Sequence, residues 1–130
     1  MTRKQLYSIV GGIHLVFGFG FLLLPGIVVA LYGISLDESG TLMAQLLGAS
    51  DLASAALLLT LRDIPSSQAA RVVSTKGALE WSLITIILLL YSVTGLLNFM
   101  GWVSVVLFAA IAFLFARDVF KQQDEATAVS

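Results

Sequence analysis

The sequence predicts an all-α fold: a four-transmembrane-helix bundle with both termini cytoplasmic. Three observations predict it. First, 58% of the residues are hydrophobic and only 12% are charged, with a mean hydropathy of +0.98. Ordinary soluble domains carry about 25% charged residues. A soluble chain of 130 residues could not hide so much apolar surface, because small domains bury a limited share of their area. Second, charged and imidazole side chains are nearly missing from three long runs. Only His14 interrupts 5–36, only Asp51 interrupts 39–61, and only Glu80 interrupts 77–116. Third, the basic residues sort to one side. Arg3 and Lys4 precede the first run, Arg62, Arg71 and Lys76 flank the second connection, and Arg117 and Lys121 follow the last run. The first connection instead holds Asp37 and Glu38. By the positive-inside rule, the basic side is cytoplasmic.

The first span is expected over about 5–33, since a span needs about 20 apolar residues. Pro25-Gly26 lies inside it and is expected to kink it, because "IVVALY" continues beyond. The reading as a secretory leader is disfavoured: the apolar run exceeds the 7–15 residues of such a segment, and no soluble domain follows it. The polar stretch "YGISLDESGT" closes the span and offers Ser39 or Thr41 to cap the next helix. The second span is expected over 41–62 and ends in "RDIPSSQ", since Pro65 cannot continue a helix. Ser66 or Ser67 can cap the third, expected over 67–95. Its opening, "SQAARVVSTK", is amphipathic, so its first turns are expected outside the hydrocarbon.

The run 77–116 would reach roughly 60 Å as one helix, about two hydrocarbon thicknesses. "TGLLNFMG" supplies the required break. The fourth span is expected over 99–121, which makes 1–121 one transmembrane domain, followed by a polar tail over 122–130. Tyr7 is expected at the inner boundary, Tyr32 and Trp102 at outer boundaries, and Trp81 as a further interfacial anchor.

Three ionisable residues fall at similar depth: His14, Asp51 and Glu80. A carboxylate within a span costs roughly 2.5–3.5 kcal/mol on insertion scales, so it needs a partner or a purpose. His14 lies about 10 Å past Tyr7, Asp51 about 16 Å before Arg62, and Glu80 about 6 Å past Lys76, at helical rise. Asp51 is flanked at helical spacing by Leu47, Gly48, Ser54 and Ala55, a small-residue face suited to close helix approach. His14 shares a stripe with Gly11 and Gly18. Gln45 and Ser54 are lesser polar candidates on the second span.

Each residue has a bland reading beside the functional one. Asp51 reads as a latch bonded to His14 or a hydroxyl, Glu80 as an interfacial partner of Lys76, and His14 as a neutral packing residue. In the functional reading, a carboxylate among Gly, Ala and Leu is disfavoured in its charged form and can carry a proton. With His14 beside it, it can counter a cationic ligand, couple a proton step, or act on a lipid-soluble substrate.

The layout "GGIH…FLLLPG…LYG" followed by "LLGASDLASAALLLTLRD" resembles small bacterial four-helix membrane proteins of unassigned function, loosely DoxX-like. The resemblance implies the four-helix fold and carries no residue roles. The size is also similar to that of small multidrug transporters, but those carry an essential glutamate in the first helix where this chain has His14.

The expected function is a small binding or transport module of the cytoplasmic (inner) membrane, with an intramembrane site built from His14, Asp51 and Glu80. A structural or accessory subunit of a membrane complex is the first alternative, and a membrane enzyme acting on a lipid-soluble substrate the second. The bilayer is the expected partner, with a homodimer or a larger complex left open. Net charge −1 gives no signal for nucleic acid. No cofactor is expected: the glycines lie in apolar spans rather than in a phosphate-binding turn. One His and no Cys offer no familiar metal set.

Overall fold

A computed structural model describes the chain except Ser66 and residues 128–130, and except the side chains of 124–127. Its elements are all helical: α1 (Arg3–Leu23), α2 (Pro25–Ala30), α3 (Glu38–Leu61), α4 (Gln68–Val93) and α5 (Phe99–Thr127). No strand occurs among the described residues. Four of the helices are long and apolar enough to cross a membrane.

The ends of these helices follow from local chemistry. Thr2 and Gln5 form a reciprocal capping box at the start of α1. The expected kink in the first span is a complete break. Pro25 has no N–H to continue α1, and Leu24 leaves helical geometry at φ −136°, ψ 47°. Pro25 then opens the short α2, the helical position at which its fixed φ is favourable. Helix α3 starts earlier than expected, because Asp37 rather than Ser39 or Thr41 is its cap. The Asp37 carboxylate accepts from the Gly40 N–H at 2.6 Å. Ser67 caps α4 by accepting from the Ala70 N–H. The other candidate cap, Ser66, lies outside the described residues. Gly95, at φ +77°, terminates α4 in the left-handed conformation that glycine adopts without strain. Helix α5 runs past 121 to Thr127, through "QQDEA", whose residues mostly favour a helix.

The bundle consists of two antiparallel hairpins, α1 with α3 and α4 with α5. Within each hairpin, glycines set the separation. A Cβ on Gly48 would lie 2.7 Å from the Gly18 carbonyl oxygen, and one on Gly77 would lie 2.8 Å from the Phe115 ring. Such close approach suits helices in lipid, where van der Waals packing rather than water exclusion holds them together. Between the hairpins, large rings make the contact instead: Tyr7 with Phe115, His14 with Trp81, and Phe17 with Phe108. The core therefore sits toward the end that carries the termini, around Leu6, Tyr7, Val10, Trp81, Ile111 and Phe115. Outward faces stay apolar; Val16, Val106 and Phe99 are all more than two-thirds exposed, as a lipid-facing surface requires.

Candidate functional site

The buried stripe of α1 is Tyr7, Val10, Gly11, His14 and Gly18. It repeats at three- and four-residue spacing, one face of the helix. His14 is only 2% exposed. Its Nδ1 lies 2.8 Å from Asp51 Oδ1 on α3. The approach is possible because Gly18 and Gly48, one turn away, let the two backbones meet. With Asp51 ionised, Nδ1–H donates to the carboxylate. This leaves Nε2 as an acceptor in neutral His14 and as a second donor in the imidazolium. Nε2 is buried and has no hydrogen-bond partner.

Glu80 does not join this pair directly. Its carboxylate pairs with Lys76 Nζ at 2.6 Å, one turn back on α4. Lys76 Nζ also donates to Ser54 Oγ at 2.9 Å. Ser54 thus links α3 to the Lys76–Glu80 pair. His14, Ser54, Lys76 and Glu80 together line a small void of about 10 Å³. Gln45 has a structural position instead: its side-chain amide donates to the Leu22 carbonyl oxygen near the broken end of α1. No group of three metal-ligating side chains is disposed to hold an ion among the described residues.

A larger cavity of about 240 Å³ lies between the hairpins, on the side of His14 away from the termini. Phe17, Phe21, Ile84, Leu88 and Phe108 are among the apolar residues of its wall. The polar side chains on it are His14, Asp51, Tyr32 and Trp81. The Tyr32 hydroxyl is engaged by Ser104 Oγ at 2.9 Å. The chain break at Pro25 shapes this cavity, since Val29 of α2 and the following Ile34 form part of its wall.

Trp81 is a correction to the sequence reading. It is not an interfacial anchor but a core residue, 4% exposed, packed 5.1 Å from the His14 ring and 4.7 Å from Phe108 between ring centroids. Its indole Nε1 is buried without a hydrogen-bond partner. The signal for this was present in the sequence: Ser74, Trp81 and Leu88 recur at seven-residue spacing on one face of α4. Tyr7 is likewise fully buried within the bundle. Its hydroxyl is 2.8 Å from the Ala70 carbonyl oxygen and 2.6 Å from Ser74 Oγ. Ser74 and Gln122 both donate to Asp118 Oδ2, which extends a polar network across α1, α4 and α5. Sequence reasoning missed this network, because Asp118 and Gln122 lie near a helix end where polar residues need no partner.

No protein-family model matches the chain, and no curated protein or solved structure does either.

Proposed function

We propose that the protein spans the cytoplasmic membrane four times with both termini inside, and that its inter-hairpin cavity binds a small lipid-soluble molecule carrying one polar group. The orientation is supported by the gathering of Arg3, Lys4, Arg62, Arg71, Lys76, Arg117 and Lys121 toward one side of the spans. The binding reading is carried by one observation. The part-buried His14–Asp51 pair forms part of the wall of a cavity whose other lining is mostly apolar. An apolar cavity with a few convergent polar groups is the usual form of a small-molecule site. The aromatic wall suits a flat or ring-bearing molecule, and the pair supplies its hydrogen bond.

The test uses two neutral probes of nearly equal size, 1-naphthol and naphthalene. They are titrated into detergent-solubilised Trp102→Phe protein while Trp81 emission is followed. The naphthol hydroxyl is expected to tighten binding by about tenfold, the worth of one hydrogen bond of roughly 1–1.5 kcal/mol. Asp51→Leu should remove that preference, and Ile84→Phe, which narrows the cavity, should weaken both probes. Equal binding of the two probes by protein with an intact pair would refute the reading and leave His14–Asp51 as a helix latch.

A further inference from the structure

His14 stands between two spaces. Its ring lines the large cavity, where Asp51 takes Nδ1, and also the small void that it shares with Ser54, Lys76 and Glu80. Buried polar atoms rarely lack a partner, and Nε2 of this nearly inaccessible ring lacks one in the protein. The void measures about 10 Å³, at the lower limit of the space that holds one water. It is also lined by enough polar groups to hold that water, which needs two to four hydrogen-bond partners.

The geometry points to a proton relay: one water in this void bridges His14 Nε2 to the Lys76–Glu80 pair, so that protons reach the ligand-binding pair from the basic face. The inference deepens the binding reading above and rests on it for its use. Glu80 and Lys76 are partly exposed, with side-chain accessibilities of 27% and 45%, whereas that of His14 is 3%. The relay runs from the Lys76–Glu80 pair, beside the opening turns of α4 that carry the basic residues, to the buried His14 ring. The Glu80 carboxylate takes a proton from the basic face and passes it to the water, the water gives one to Nε2, and the carboxylate returns to its pairing with Lys76. His14 becomes the imidazolium and stays bonded through Nδ1–H to Asp51. The groups around the ring are Asp51 and Ser54 from α3, Lys76, Glu80 and Trp81 from α4, and only Phe108 and Phe115 from α5.

The consequence is one-sided control. The charge of the pair in the cavity is set by the pH of the basic face, so binding of a polar or cationic group there is linked to protons from that side.

Trp81 provides a readout that needs no ligand, because an imidazolium 5.1 Å from an indole quenches its emission more than neutral imidazole does. Trp102→Phe leaves Trp81 as the sole tryptophan. This protein is placed in proteoliposomes of assigned orientation, with internal and external pH set independently. Emission is expected to follow the pH at the basic face, and His14→Gln should make it flat. Glu80→Gln and Ser54→Ala are each expected to slow the response by about tenfold. Emission that follows the opposite face, shows no response with His14 present, or keeps its rate in both variants would overturn the relay. Failure of the naphthol preference with an intact one-sided response would sink only the binding reading.

Discussion

Gly48→Ala adds one methyl group at the closest approach of α1 and α3. Its Cβ would lie 2.6 Å from the Leu22 nitrogen, 2.7 Å from the Gly18 oxygen and 3.0 Å from Phe21 Cβ. Two of these atoms belong to backbone, which cannot turn aside as a flexible side chain can. Ordinary contact begins at 3.4 Å, so the helices must part by about 0.8 Å to admit the methyl group. Overpacking of this kind costs about 1–3 kcal/mol, and backbone contacts place this case toward the upper end. The separation also acts one turn away. A His14–Asp51 distance of 2.8 Å, lengthened by about 0.8 Å, passes beyond hydrogen-bond range. Gly12→Ala is the control, since nothing lies within 4 Å of its added Cβ. Unfolding by SDS from mixed micelles, followed by tryptophan emission, should show a clear loss for Gly48→Ala. Gly12→Ala should be neutral or slightly stabilising, because alanine favours a helix over glycine. Equal stability of the two variants would refute the idea that Gly48 fixes the approach of α1 and α3.

Tyr7→Phe removes a buried hydroxyl bonded to Ala70 and Ser74, and should cost about 1–3 kcal/mol in the same assay. Tyr91→Phe, at a half-exposed position, should cost much less. Gln45→Leu should cost about 0.5–1.5 kcal/mol by withdrawing the donor from the Leu22 carbonyl near the end of α1, a loss that unfolding midpoints would register. Asp63 lies outside the spans, and a hydrogen bond from the Lys4 ammonium at 2.6 Å holds its carboxyl below the usual carboxylate range. A lowered folded-state value means that the contact favours the folded state at pH above the ordinary carboxylate range. That contribution fades as pH falls through the lowered value. Lys4→Gln should therefore move the Asp63 carboxyl titration, followed by carbon NMR, upward toward the ordinary range, and an unmoved titration would show that Lys4 is not the cause.

Most spans and breaks were legible because they depend on local rules, although Pro25 ends α1 outright where only a kink was expected. The charge-free runs fix where helices can cross hydrocarbon, and Pro65, Gly95 and Asn98 mark where they stop. The small-residue faces around Gly18 and Gly48 also showed which sides could approach. The depth of His14 and Asp51 suggested a meeting, and the two do touch. Glu80 was placed at a similar depth, but depth gives no azimuth. Its direction around the bundle sends its carboxylate to Lys76, while the void beside His14 depends on how α3 and α4 face each other.

By itself, the sequence determined the medium, the number of apolar helices and the segregation of charge, because hydropathy and charge act residue by residue. Only the tertiary structure decided that Trp81 is core, that Gln45 supports a broken helix, and that a cavity opens between two glycine-packed hairpins. Those outcomes depend on contacts between residues far apart in the chain. In lipid, such contacts are set by shape and hydrogen bonding rather than by an apolar pattern that every face of the helix shares.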